Sequence, residues 1–144
     1  MDKIIVAYWS QTGNTEAMAQ AIGKGIEEAG KHALVIEVSK VSLEELRAAT
    51  SFALGCPAMG AEVLEESEME PFVTQVESFA SGKKVVLFGS YGWGDGEWMR
   101  DWEDRMRNAG ADIVMGEGVI AQEAPDDNSL EKCRSTGKML AELA

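Results

Sequence analysis

Two stretches of this sequence carry residues suited to holding a ligand. The first, Ser10 to Thr15 (SQTGNT), places polar side chains at Ser10, Thr12, Asn14 and Thr15 where an apolar run gives way to a helical pattern. Backbone amides at a helix N-terminus attract anions, and these side chains add neutral donors. No lysine is present of the kind that reaches the outer phosphates in a GxxxxGK[ST] loop, so the cradle suits a permanently bound phosphate monoester rather than a group in transfer. Taken alone, the same residues also suit an ordinary helix cap. The second stretch, Phe88 to Gly96 (FGSYGWGDG), sets Trp93 between Gly92 and Gly94 just past another apolar run. A surface indole between glycines gains little from packing, and the glycines cost backbone entropy. A planar ring stacked on the indole, with the flexible backbone close to its edge, gives both features a purpose.

Other candidates point to structure. Cys56 and Cys133 lie far apart with no CxxC and no nearby histidine, which suggests neither a zinc site nor a redox dithiol. His32 stands alone at the start of a predicted strand. Trp98 and Trp102, four apart with Met99 and Met106, have the spacing of one packed helix face, and Trp9 at the end of the first strand reads as core. The net charge of −12 argues against nucleic acid and anionic lipid and favours basic partners. No apolar run reaches membrane-spanning length and no signal-peptide pattern opens the chain, so a cytoplasmic protein of one domain (residues 1–144) is expected.

The loops need elements to position them. Lys3–Trp9 is nearly all apolar, as a strand covered on both faces should be. A helix follows over 14–29, with Met18, Ala21, Ile22, Ile26 and Ala29 as its buried stripe and Gly30 as its stop. Strands are predicted over 33–38, 51–56 and 83–89, and a kinked fifth over 111–122 divided by Gly116 and Gly118. Short helices fill the gaps: one capped by Ser42 with Glu45 closing a capping box, one from Glu70 with Pro71 in its first turn, and one over 97–108. A last helix runs from Ser129 to Leu143. This alternation implies an α/β fold, a parallel sheet with helices on both faces in a three-layer sandwich. In such sheets ligands bind outside the carboxyl ends of the strands at the point where the winding reverses. The loops after strands one, three and four would adjoin there in a 2-1-3-4-5 order.

Three segments, YWSQTGNTEAMA, GCPAMGAEVLEESEMEPF and KKVVLFGSYGWGDGEWMRDWEDRM, closely resemble the short-chain flavodoxins, FMN-binding electron-transfer proteins. The likeness covers nearly the whole chain, and flavodoxins are themselves the type example of the 2-1-3-4-5 order with FMN at the switch point. The resemblance implies a first FMN-binding segment of Ser10, Gln11, Thr12, Gly13, Asn14 and Thr15, in which Ser10, Thr12, Asn14 and Thr15 match the phosphate-binding residues and Gln11 adds a solvent-facing amide. It implies a second segment of Pro57, Ala58, Met59, Gly60, Ala61 and Glu62. Met59 would lie on the inner face of the isoalloxazine, the Gly60 carbonyl would turn to flavin N5, and Glu62 would lie near N3. In the third segment, Ser90, Tyr91, Gly92, Trp93, Gly94 and Asp95, Trp93 would cover the outer face while Gly92 and Gly94 line the pyrimidine edge. Gln11, Pro57 and Ala61 depart from residues common in the family. A type II′ turn requires positive φ at Gly60, which glycine accepts without penalty.

The function so implied is a low-potential one-electron carrier that cycles mainly between semiquinone and hydroquinone and donates to larger oxidoreductases in place of a ferredoxin. A hydrogen bond from reduced N5 to Gly60, worth about 1 kcal/mol net, would favour the first state. The carboxylates Glu62, Glu65, Glu66, Asp95 and Glu97, with no cation in their loops, would make the last electron weakly held. The same acids would dock a monomeric carrier onto basic partners. The alternatives are an FMN-dependent quinone or flavin reductase and, more remotely, a phosphoryl-receiver domain. No added segment shapes a substrate pocket for the first, and the clustered aspartates and lysine of the second are missing.

Overall fold

The computed structural model describes residues 3–144. Strand β1 (Lys3–Tyr8) leads into helix α1 (Asn14–Glu28), followed by β2 (His32–Glu37), α2 (Leu43–Ala48), β3 (Ser51–Gly55) and α3 (Met69–Glu77). Then come β4 (Lys84–Tyr91), α4 (Glu97–Asn108), β5 (Asp112–Ile113), β6 (Val119–Gln122) and α5 (Asp127–Leu143). The sheet is parallel throughout, in the order β2-β1-β3-β4-β5, with β6 also paired to β4. The predicted fifth strand is thus β5 and β6, two pieces of one edge interrupted over 114–118, where Met115 takes φ 68°. Glu103, buried on α4, bridges the interruption by accepting the Gly118 amide at 2.6 Å, and Arg107 donates to the Gly116 carbonyl.

Because strand side chains alternate, the central strands are apolar on both faces and feed two cores. Ile4, Val6, Ala53, Val86 and Phe88 pack under α1 and α5 through Met18, Ile22, Ile26, Cys133 and Leu140. Ile5, Ala7, Phe52, Leu54, Val85 and Leu87 pack under α2, α3 and α4 through Leu46, Phe72, Val76, Trp98, Trp102 and Met106. Trp98 and Trp102 are fully buried, as their spacing predicts, while Trp9 is half-buried and donates its indole N–H to Glu68 at 3.1 Å. Helices α1 and α5 approach to backbone contact. A Cβ on Gly25 would lie 1.9 Å from the Arg134 carbonyl oxygen, and one on Gly137 would lie 2.1 Å from that of Ile22.

Local expectations held with small shifts and one correction. The strand predicted over 83–89 runs on to Tyr91, which carries Ser90 and Tyr91 to the rim of the sheet. Ser42 caps α2 by accepting the Glu45 amide at 3.3 Å, but the Glu45 carboxylate pairs with Lys3 at 3.2 Å, so the capping box is only half formed. Both cysteines are free and buried, and burial pushes each thiol up to about 12. Among the described residues no helix is long and apolar enough to cross a membrane, and no cluster of potential ligands could hold a metal ion.

Candidate functional site

Parallel β1, β3 and β4 end side by side, so the loops that follow them meet above the carboxyl edge of the sheet. They enclose a cleft of about 250 Å³ lined by Gln11, Thr12, Asn14, Pro57, Ala58, Met59, Ser90, Tyr91, Gly92 and Glu123.

The first loop is built to present amides. Gly13 takes φ 94° at the entrance to α1, a conformation that favours glycine. The Ser10 hydroxyl accepts the amides of Gly13 at 3.2 Å and Glu16 at 3.3 Å, folding the loop over the helix start. Thr15 is buried, and its hydroxyl lies 3.3 Å from that of Ser90 and accepts the Ser90 amide at 3.4 Å, pinning α1 to β4. Ser10 and Thr15 thus hold the loop in shape through their hydroxyls, which can still donate to an anion, while Thr12 and Asn14 line the cleft. Among the described residues the amides of Asn14 and Thr15 donate to no protein group. Uncommitted first-turn amides beside neutral side chains fit a phosphate monoester.

The second loop leaves β3 through Cys56 and Pro57. The Ala58 amide donates to the Ser90 carbonyl at 2.9 Å, tying this loop to β4. A hairpin follows, closed by paired bonds between Met59 and Val63 at 2.8 and 3.0 Å. Gly60 has the positive φ, 48°, that a II′ turn requires, but the tip holds three residues, and Glu62 is itself left-handed at φ 56°. In the third loop Trp93 is 67% exposed and its indole finds no protein partner among the described residues. Tyr91 packs inward on Trp98, ring centroids 5.6 Å apart. Trp98 in turn donates to the Cys56 carbonyl at 3.1 Å, so one buried indole supports both rims of the cleft.

The electrostatics correct the sequence reading for Glu65 and Asp95 and give the protein contacts of Glu62. Glu65 is not a surface charge: it is 7% exposed and accepts the amides of Ser67, Glu68 and Met69 at 2.8–3.0 Å, and the Ser67 hydroxyl. Burial pushes its carboxyl up, but the Ser67 hydroxyl and the amides of Met69, Glu68 and Ser67 outweigh this and hold it at about 2. Glu65 is the cap of α3, whose first turn has no other side-chain cap. Asp95 is not uncompensated, because Arg100, from α4, pairs with it at 3.0 Å. The Glu62 carboxylate lies on α4, where Oε1 accepts the amides of Gly96 at 3.2 Å and Glu97 at 3.1 Å.

Glu123 lines the cleft without having been singled out. It follows β6, is left-handed at φ 56°, and donates its amide to the Tyr91 carbonyl at 2.7 Å. Its loop has neither the glycines nor the hydroxyls that mark the other three. The usable signal is the pairing of the fifth strand beside the fourth, which brings the strand's end to the same rim.

The flavodoxin family model matches residues 6–137. The flavodoxin of Clostridium beijerinckii is 51% identical over 138 residues, covering 96% of this chain and 99% of that one. The flavodoxin of Megasphaera elsdenii is 41% identical over 94% of this chain and 96% of its own. The solution structure of the two-electron reduced Megasphaera elsdenii flavodoxin superposes with a TM-score of 0.86 over 96% of this chain and 98% of that one. A parallel 2-1-3-4-5 sheet with a cleft at its carboxyl edge, together with a family match over residues 6–137 and 51% and 41% identity over nearly the whole chain, shows that the chain belongs to the flavodoxin family, electron-transfer proteins whose cofactor is FMN.

Proposed function

We propose that this chain, as one monomeric cytoplasmic domain, is a low-potential one-electron carrier that takes FMN in the cleft and donates to larger oxidoreductases. FMN supplies the electron-accepting ring when bound. Ser10, Thr12, Asn14, Thr15 and the first-turn amides of α1 would hold its phosphate, and Met59 and Trp93 would flank the ring. Gly60, free of a side chain and already left-handed, lets its carbonyl turn at little backbone cost. The exposed Trp93, on a loop facing that hairpin and beside a phosphate cradle, is the observation that carries this reading.

Potential and partner choice follow from the charges around the cleft. In the four bordering loops (9–13, 56–68, 92–96 and 123–126) every charged residue is a carboxylate: Glu62, Glu65, Glu66, Glu68, Asp95, Glu123 and Asp126. The remaining loop at that end, 38–42 after the edge strand β2, carries Lys40, and Arg100 offsets Asp95; in the loops at the opposite end the charged residues are Lys31 and Lys83. This polarity disfavours a further electron on the ring and turns the cleft toward basic partners, with Glu66 and Glu97 exposed for docking. Encounters of this kind are small and salt-sensitive.

A potentiometric titration of the FMN-loaded protein, followed by absorbance, tests the proposal. Two resolved one-electron steps are expected, the second well below the first. A single two-electron step, or failure to take up FMN, would overturn it.

A further inference from the structure

The hairpin that carries Gly60 is thinly supported. Val63 at its base is 53% exposed, and behind Glu62 and Val63 a cavity of about 130 Å³ separates the hairpin from Trp98 and Trp102 of α4. The Trp102 indole N–H on that side is buried with no hydrogen-bond partner among the described residues, so the seam is not closed by polar packing either. The link across it is the Glu62 carboxylate. Among the described residues its bonds to the amides of Gly96 and Glu97 are the hydrogen bonds that tie residues 60–62 to another element.

Two further features show that this side chain is held rather than merely resting there. Gly96, the residue that enters α4, offers no side-chain cap, so the first amides of that helix depend on an anion brought from elsewhere. The carboxylate also lies against Gly94 so closely that a Cβ there would sit 2.4 Å from Glu62 Cδ. Glu62 itself is left-handed, a conformation that L side chains adopt at a cost, and its two charge-assisted bonds offset that cost.

We infer that Glu62 is a positioning residue whose carboxylate couples the Met59–Val63 hairpin to the Trp93 loop and sets their separation before any ring enters. The inference deepens the FMN reading, since the two loops it joins are those that would flank the flavin. Capping α4 from the hairpin makes the spacing of Met59 and Trp93 a property of the folded chain rather than of the cofactor.

Amide hydrogen exchange in the FMN-free protein tests this, with Glu62→Ala, Glu62→Gly and Glu62→Gln compared with the parent. Losing a charge-assisted bond should speed exchange at Gly96 and Glu97 roughly tenfold in both Glu62→Ala and Glu62→Gly. Glu62→Gln keeps an acceptor oxygen and should stay within about threefold. FMN affinity, read by fluorescence titration, should fall in the same order. Exchange in Glu62→Ala within about twofold of the parent would overturn the inference, as would Glu62→Gln behaving like Glu62→Ala. Recovery of protection in Glu62→Gly would also overturn it, by tracing the effect to backbone strain instead of the carboxylate. Because exchange is measured without flavin, its failure is distinct from a failure of the chain to take FMN.

Discussion

Removing the Glu65 carboxylate isolates one buried charge whose contribution follows from its surroundings. Its carboxyl is held at about 2 against an ordinary 4.5. At about 1.4 kcal/mol per pKa unit this is at most about 3.5 kcal/mol of stability at neutral pH. Glu65 is covered but lies in the outermost layer of the fold, where solvent screening reduces the figure to about 2 kcal/mol, in the range for a lost helix cap. The folded pKa is depressed, so the contribution is fully present above about pH 4.5 and disappears as pH falls through about 2. Glu65→Gln keeps the shape and one acceptor but removes the titration. Urea unfolding at a series of pH values should show Glu65→Gln less stable than the parent at pH 7, with the gap closing between pH 5 and pH 2. Glu65→Ala should lower the urea midpoint at pH 7 by about 1 M, taking a slope of about 2 kcal/mol/M. Parent and Glu65→Gln losing stability in parallel across that range would refute the assignment. The pair also separates capping from docking: Glu66→Gln should weaken the salt dependence of electron transfer to a basic partner, and Glu65→Gln should leave it nearly unchanged.

Trp93→Ala removes an exposed ring that protein packing does not use, so it should leave the unfolding free energy from urea titration within about 0.5 kcal/mol of the parent while weakening FMN binding by about 1–2 kcal/mol, roughly tenfold. Equal FMN affinity in a fluorescence titration would remove the stacking role. Gly137→Ala forces a Cβ toward the Ile22 carbonyl oxygen across the α1–α5 contact and should cost about 1–3 kcal/mol in urea unfolding, with little change in FMN affinity once folded. Cys56 and Cys133, with burial pushing both thiols up to about 12, should be inert to a thiol reagent at pH 8 and react fully in urea; rapid reaction of the folded protein would contradict their burial.

The elements and their sidedness were legible in the order of the residues alone. Apolar runs marked the strands, the three-four stripe of Met18, Ile22 and Ile26 marked the buried face of α1, and the glycines around Trp93 marked a loop with a use beyond packing. These signals are legible because they arise from residues a few positions apart, where helix and strand periodicity acts directly on the pattern. Which polar groups are committed emerges only once the chain is folded. Glu65 and Glu66 are neighbours in the chain, yet one is a buried cap and the other is exposed. Glu62 is drawn to amides more than thirty positions away, and Thr15 is held by Ser90 across the sheet. A carboxylate reads the same in a sequence whether it faces water or a helix N-terminus, and only the fold supplies the amides that distinguish the two.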